Sequence, residues 1–169
     1  MDCDMLCLGD IAELWGSRIP ETWLPGPAVQ VVKHDYVPTE TTKFLGQKQE
    51  PYERKNWSSV MLFHNQKCRA LTPEYVETAP GLDLHQFKWT QDDRIWNLPP
   101  SWNYLVGHTK LKEGLPPKLI HYTTGGPWFP EYANCEYADE WRLERGPLIL
   151  QPGNNAISAG TVRESIRTA

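Results

Sequence analysis

Short apolar runs separated by polar, proline-containing segments predict a chain of short strands linked by loops. Residues 28–32, 57–63 and 119–122 are rich in Val, Leu, Ile, Met and aromatic side chains. Apolar runs of about four to eight residues that are bounded by turn-forming residues are typical of buried strands. Residues 2–8 are expected to form a strand end that passes into a turn at Gly9-Asp10.

Three segments carry helix signals. Asp10 is a suitable N-cap for a short helix over residues 11–15. Residues 72–74 combine threonine as N-cap, proline at the first helical position and glutamate in the first turn. Residues 136–145 are also predicted to be helical. Because strands and helices alternate, the expected fold class is α/β, with a mixed sheet and flanking helices.

The aromatic residues divide the chain into two parts. All eight Trp and seven Tyr precede residue 146, and the remainder is small, polar or aliphatic. Residues 1–145 are therefore predicted to form the folded domain, and residues 146–169 a tail of uncertain structure. Within the domain, residues 35–54 have no clear period and are expected to form a long loop crossing the sheet.

Charge and cysteine usage restrict the class of protein. The net charge of −4 and the pI near 5.7 argue against a nucleic-acid partner, because binding to a phosphate backbone requires a basic surface. No apolar run approaches the roughly 20 residues of a membrane span, so no transmembrane segment is expected. Paired C-x-x-C spacing is absent among Cys3, Cys7, Cys68 and Cys135. Neither zinc nor disulfides are expected, and a cytoplasmic location fits best.

Candidate metal ligands stand far apart in the sequence. Asp2 and Asp4 are separated by one residue, and His121 precedes a turn at Gly125-Gly126. Mg²⁺ and Mn²⁺ take carboxylate oxygens and share phosphates with a substrate, so Mn²⁺ (or Mg²⁺) serving a diphosphate leaving group is expected. Cys3 is expected to point away from the ion and to be buried. Without further context, a solvated turn and a buried structural histidine are the alternatives.

Four segments resemble, in the same order, the family 8 glycosyltransferases, which have the GT-A nucleotide-sugar fold. Residues 2–15 resemble that family's DxD segment with its Gly-Asp turn and short helix. Residues 56–63 resemble a later strand whose small residues face the donor sugar, and residues 98–103 resemble a Leu-Pro…Trp-Asn loop. Residues 121–128 resemble the closing motif of histidine, glycine-containing turn and Pro-Trp. The resemblance covers about residues 2–144.

This resemblance implies transfer of a hexose from a UDP-sugar to an acceptor hydroxyl, with retention of anomeric configuration. The implied metal ligands are Asp2, Asp4 and His121, with ribose binding as the alternative for Asp2. No catalytic residue is identified, and the acceptor, whether glycan, lipid or protein, stays open. The implied donor-binding residues are Ser58, Ser59, Gly125, Gly126 and Trp128.

Two features depart from the family pattern. The family places a lysine that contacts the diphosphate before Pro-Trp, where this chain has Gly126. Lys118, Arg54, Lys55 or the amides of Gly125 and Gly126 are the alternatives for this contact. The nucleotide-binding strands that precede the DxD in the family are missing here, so the chain is expected to be the C-terminal portion of such an enzyme. A non-catalytic carbohydrate-binding protein and a truncated inactive fragment are the rival interpretations.

Overall fold

The computed structural model describes residues 1–20, 22–39, 41–49 and 51–146. Within these ranges, eight short strands and four α-helices, joined by 3₁₀ turns and loops, form a mixed α/β structure, which confirms the predicted class. The structure divides into two units, residues 1–138 and 139–169. Apart from Gly146, the predicted tail of residues 146–169 lies outside the described residues.

The first sheet joins the two ends of the larger unit. Strand β1 (Met5–Cys7) pairs antiparallel with β8 (Leu119–His121), and β8 pairs parallel with β7 (Tyr104–Leu105). Strand β8 confirms the prediction for residues 119–122. The acidic residues at 2 and 4 come before β1 and not after a strand, because the apolar Met-Leu-Cys run is the part that enters the ladder.

The second sheet is centred on β2 (Val29–Val31), whose three residues are all buried. It lies between the antiparallel strand β5 (Met61–Phe63) and the parallel strand β6 (Ile95–Asn97). The apolar run over residues 57–63 is only partly a strand. It begins with a 3₁₀ turn, preceded by Asn56 in the left-handed conformation at φ 64°. The sheets in the described part of the chain are therefore small and separate, where the sequence predicted one mixed sheet.

The predicted loop over residues 35–54 contains a hairpin of strands β3 (Thr42–Lys43) and β4 (Gln47–Lys48). The turn between them has Leu45 at φ 55° and Gly46 at φ 67°. The residue after β4, Gln49, is buried, and its backbone N–H donates to the carbonyl of Thr41 at 2.8 Å. This hydrogen bond extends the pairing of the hairpin by one residue beyond each strand.

Both predicted N-caps are present. Helix α1 (Ile11–Gly16) begins after Asp10, whose carboxylate accepts a hydrogen bond from the N–H of Ala12 at 2.8 Å. Helix α2 (Pro73–Thr78) begins after Thr72, whose hydroxyl accepts from a backbone N–H in the first turn at 3.1 Å. Each cap satisfies an N–H that the helix itself leaves unpaired.

The two remaining helices are α3 (Gly81–His85) and α4 (Ala138–Arg145). The second begins two residues later than the predicted start at 136. In the smaller unit, Arg142 pairs with Asp139 at 2.6 Å. Among the residues that the structure describes, no helix has both the length and the hydropathy to cross a bilayer.

Two apolar clusters stabilise the larger unit. A buried aliphatic side chain contributes about 1.5–3 kcal/mol relative to an exposed one. One cluster surrounds a tryptophan from the Pro-Pro loop and consists of Leu14, Val32, Val60, Leu98, Trp102 and Leu119. The other packs against the second sheet and consists of Val29, Val31, Phe87 and Ile95.

Candidate metal centre

The structure brings Asp2, Asp4 and His121 together. Nε2 of His121 lies 3.5 Å from Oδ1 of Asp4 and 4.0 Å from Oδ2 of Asp2. One potential ligand atom from each residue lies within 4.8 Å of the others. Two ligands on opposite sides of an ion, each at about 2.2 Å, would be about 4.4 Å apart. The half-exposed Asp2 side chain completes a candidate three-ligand set.

Backbone hydrogen bonds position the two acids. The β1–β8 ladder continues past its strands, where the N–H of Tyr122 donates to the carbonyl of Asp4 at 3.0 Å. The N–H of Asp2 donates to the carbonyl of Ser59 at 3.0 Å. Asp4 is therefore held beside His121 by the first sheet, and Asp2 is held by the 3₁₀ turn that precedes β5.

Asn103 orients the buried ring of His121. Its Oδ1 lies 3.0 Å from Nδ1 of His121, while its Nδ2 donates to Oγ of Ser59 at 2.8 Å and to the carbonyl of Asn56 at 3.0 Å. Because the amide N–H groups are used in this way, the amide oxygen faces His121 and can only accept. Nδ1 therefore carries a proton, and Nε2, on the carboxylate side, is the nitrogen that can ligate a metal.

A second layer of hydrogen bonds supports Asn103. The hydroxyl of Ser59 donates to the carbonyl of Asn56 at 2.5 Å, and the hydroxyl of Thr123 donates to Oδ1 of Asn56 at 3.3 Å. Asn103 itself is fully buried. This polar network fixes the orientation of the histidine, as metal-ligating histidines require, and leaves the buried Nδ2 of Asn56 without a hydrogen-bond partner among the described residues.

Charge and burial have different effects on the two acids. Burial raises the pKa of Asp2, and the neighbouring carboxylate of Asp4 adds to the increase against the lowering effect of His121. Burial also acts to raise the pKa of Asp4, but its hydrogen bond to His121 and the charge of that ring outweigh burial and lower it. Asp4 is thus ionised at neutral pH. A cation shared by both acids would favour both charged forms.

The two serines of the predicted donor site have different partners. The hydroxyl of Ser58 lies 2.7 Å from Nδ1 of His85 in helix α3. Ser59 is almost fully buried, and its hydroxyl hydrogen-bonds within the network that holds Asn103. In the structure, Ser59 therefore supports Asn103, which orients His121, while Ser58 lies nearer the surface.

Aromatic packing explains both glycines of the turn after β8. A Cβ on Gly125 would lie 2.5 Å from the ring of Tyr132, and a Cβ on Gly126 would lie 2.2 Å from the ring of Trp128. The N–H of Gly125 donates to the carbonyl of Tyr122 at 2.9 Å, so it is used inside the turn. Trp128 is 40% exposed and packs edge-on against Tyr122.

The three basic side chains that are alternatives for the predicted diphosphate contact also differ in their contacts. Lys118 forms an ion pair with Glu13. Arg54 forms an ion pair with Asp92 at 2.6 Å. Lys55 lines a cavity that is also lined by two other lysines.

The role of Asn103 was not predicted from the sequence, and the predicted burial of Cys3 is wrong. The available signal for Asn103 was its place in the Leu-Pro…Trp-Asn loop. Cys3 was expected to be buried by strand alternation but is exposed. The reason is that residues 2–4 precede β1, so the alternation of a strand does not apply to them.

Comparison with curated proteins finds a similar plant protein. The chain is 45% identical over 149 residues to Protein CDI of Arabidopsis thaliana, which corresponds to 85% of this chain and 56% of that relative. The chain thus spans about half the length of the curated relative it matches. No protein-family model matches the chain, and no solved structure matches it.

Proposed function

We propose that Asp2, Asp4 and His121 hold a divalent metal ion in a GT-A glycosyltransferase resembling family 8. The enzyme would transfer a hexose from a UDP-sugar to an acceptor hydroxyl. The convergence of the three side chains carries this proposal, since they come from distant parts of the sequence and meet within 4.8 Å. The mixed α/β fold and the order of the four resembling segments support the finer GT-A assignment.

The donor set fits Mn²⁺, with Mg²⁺ as the close alternative. Carboxylate oxygens favour Mg²⁺ and Mn²⁺, while an imidazole nitrogen favours first-row transition ions, so Mn²⁺ satisfies both preferences. Nε2 of His121 is turned toward the acids by Asn103, as such a ligand must be. When bound, the ion would act as a Lewis acid on the departing diphosphate.

The protein side chains have distinct tasks in this proposal. Asp4 supplies a permanent negative charge, because His121 keeps its pKa low. Asn103 fixes the direction in which Nε2 of His121 faces the proposed ion. Asp2, whose side chain is 54% exposed, has the freedom to contact either the ion or the ribose. Ser58 and the exposed face of Trp128 are the candidate contacts to the donor sugar.

Cysteine state and net charge bear on the cellular location and the substrate class of the proposed enzyme. The four cysteines are all free in the structure, and the net charge is negative. These observations support a reducing, cytoplasmic location and a nucleotide-sugar substrate in preference to nucleic acid.

A titration of UDP into the 169-residue chain tests the proposal. With Mn²⁺ present, UDP should bind to the wild type, and EDTA should abolish binding. Asp4→Asn should weaken Mn²⁺-dependent binding at least about 100-fold, since even residues behind the ligands typically contribute about 10–100-fold. Asp93→Asn, at an exposed acid remote from the three ligands in sequence, is the matched control.

Two outcomes would contradict the proposal. One is UDP affinity that is equal in Mn²⁺ and EDTA. The other is unchanged affinity in a folded Asp4→Asn protein. Glycan binding that is indifferent to both EDTA and UDP would instead favour a non-catalytic carbohydrate-binding protein.

A further inference from the structure

A cavity of about 380 Å³ lies beside the start of β2 in the larger unit. Its walls include two exposed aromatic side chains, Trp15 and Phe63, and three polar ones, Arg18, Asn65 and Gln66. Its volume is within the range of about 300–1,000 Å³ that is typical of small-molecule sites. We call this space the tryptophan cavity.

Hydrogen bonds attach the walls of the tryptophan cavity to β2. The buried side chain of Gln30 accepts from the N–H of Ile19 at 2.9 Å and donates to the carbonyl of Ser17 at 3.2 Å. The N–H of His64 donates to the carbonyl of Ala28 at 2.9 Å. The segment after helix α1 and the segment after β5 are therefore both held against the same strand, which gives the cavity fixed walls.

Trp15 provides a broad aromatic surface in this cavity. Its side chain is 60% exposed, and Cζ of Arg18 lies 4.7 Å from the centre of its ring. Stacking of the guanidinium on the indole restricts the positions that both side chains can take. A rigid aromatic ring offers apolar contact at a low cost in conformational entropy, and it suits the C–H-bearing face of a pyranose ring.

The polar groups of the lining suit a ligand that carries hydroxyls. Asn65 and Gln66 are exposed, and each amide offers both donors and an acceptor. His64 also lines the cavity, and both of its ring nitrogens are buried without a hydrogen-bond partner among the described residues. A neutral imidazole has one donor and one acceptor, and leaving them unpaired is costly. A hydroxyl group, which both donates and accepts, can satisfy either nitrogen.

The tryptophan cavity lies at the other end of β5 from the candidate metal centre. The carbonyl of Ser59, which accepts from the N–H of Asp2 at 3.0 Å, comes before β5. Phe63 is the last residue of β5, and His64 follows it. The three residues of this strand span about 10 Å. The cavity is therefore a separate site, and none of the three metal-ligand candidates lines it.

We propose that the tryptophan cavity binds a neutral carbohydrate. One sugar ring packs against Trp15, and its hydroxyls bond to Asn65, Gln66 and the guanidinium of Arg18. The combination of an exposed aromatic surface, side-chain amides and an unsatisfied buried imidazole carries this inference. It does not depend on a metal ion, because the lining residues supply all of the proposed contacts.

Calorimetric titration of maltose, cellobiose and lactose into the 169-residue chain in EDTA tests the site without a metal. At least one of these sugars should bind saturably, and added salt should have little effect because the ligand is neutral. Trp15→Ala should weaken that binding at least about tenfold, which corresponds to about 1.4 kcal/mol. Trp15→Phe should keep most of the affinity. Trp23→Ala, at a tryptophan that is 57% exposed and does not line the cavity, is the matched control and should have little effect.

The inference is overturned if none of the three sugars binds, or if folded Trp15→Ala binds them as Trp23→Ala does. Uridine binding that requires Trp15, with no sugar binding, would also overturn it, because the cavity would then be a nucleoside site. Thermal melts of both alanine variants serve as the folding control. Since each tryptophan is more than half exposed, both variants should melt near the wild type.

A parallel titration of UDP with Mn²⁺ distinguishes this inference from the proposed function. Asp4→Asn should lose Mn²⁺-dependent UDP binding while keeping sugar binding in EDTA. Mn²⁺-dependent UDP binding without sugar binding would overturn the cavity inference alone. Trp15-dependent sugar binding without Mn²⁺-dependent UDP binding would contradict the metal proposal alone, and would leave a non-catalytic carbohydrate-binding protein.

Discussion

Replacement of Asn103 by leucine should remove the support of His121 with little change in side-chain volume. The wild-type amide makes three hydrogen bonds, at 2.8–3.0 Å, to Ser59, Asn56 and His121. Each typically contributes about 1 kcal/mol, and an unpaired buried Nδ1–H costs about 1–3 kcal/mol more. We expect Asn103→Leu to lower the free energy of unfolding by about 4–6 kcal/mol and to weaken Mn²⁺ binding about 10–100-fold.

Two assays separate loss of stability from loss of ligand orientation. Urea unfolding, followed by tryptophan fluorescence, measures the free energy of unfolding. Calorimetric titration without urea measures the Mn²⁺ affinity of the folded proteins. Asn97→Leu, at an exposed position at the end of β6, is the control and should change neither quantity by much. Nitrogen NMR of the wild type should show the His121 proton on Nδ1.

A second variant keeps the test decisive if the leucine protein does not fold. Asn103→Asp retains an oxygen that accepts from Nδ1 of His121, but it loses the donors to Ser59 and Asn56. It should therefore be less stable than the wild type while binding Mn²⁺ better than the leucine variant. Equal Mn²⁺ affinity in wild type and folded Asn103→Leu, or an unprotonated Nδ1 of His121 in the metal-free wild type, would refute the positioning role.

Three further predictions concern stability and are measured by urea unfolding. Burial, reinforced by a nearby histidine charge, lowers the pKa of His34 from 6.5 to about 4. Because the folded pKa lies below the unfolded one, stability present above pH 6.5 should decrease by about 3 kcal/mol as the pH falls to about 4. His34→Gln should flatten this decrease. If His34→Gln leaves the pH profile of the unfolding free energy unchanged, the assignment to His34 is contradicted. Gly125→Ala should lower the free energy of unfolding by about 1–3 kcal/mol, because the new Cβ would clash with the ring of Tyr132. Gly16→Ala, whose Cβ would have no atom within 4 Å, should not lower it. Equal effects of the two substitutions would refute the packing argument. Asp10→Ala should lower the free energy of unfolding by about 1 kcal/mol, because the N-cap hydrogen bond of α1 is lost. An unchanged free energy of unfolding would show that the cap does not stabilise the fold.

Local signals in the sequence identified the elements that depend on local chemistry. Asp10 and Thr72 cap helices as predicted, because a side-chain acceptor acts on the next turn of the same chain. The apolar run at residues 119–122 became β8, because its β-branched and aromatic residues favour a buried strand. These elements were predictable without knowledge of any distant partner.

Features that depend on distant pairing were not predictable in the same way. The register of β1 against β8 decides that Asp4 lies beside His121, and no local pattern reveals which strands will pair. Asn103 also acquires its role only when the loop before β7 meets the 3₁₀ turn before β5. The exposure of Cys3 has the same origin, because the strand begins three residues later than expected.

Manganese electron paramagnetic resonance on the 169-residue chain would decide whether the acid–histidine cluster is a metal site. Binding removes the sharp six-line signal of free Mn²⁺, so a titration gives stoichiometry and affinity together. We expect one bound ion per wild-type chain, loss of that ion in Asp4→Asn, and retention in Asp93→Asn. Equal stoichiometry and affinity in Asp4→Asn and wild type would contradict the assignment of Asp2, Asp4 and His121 as the metal centre.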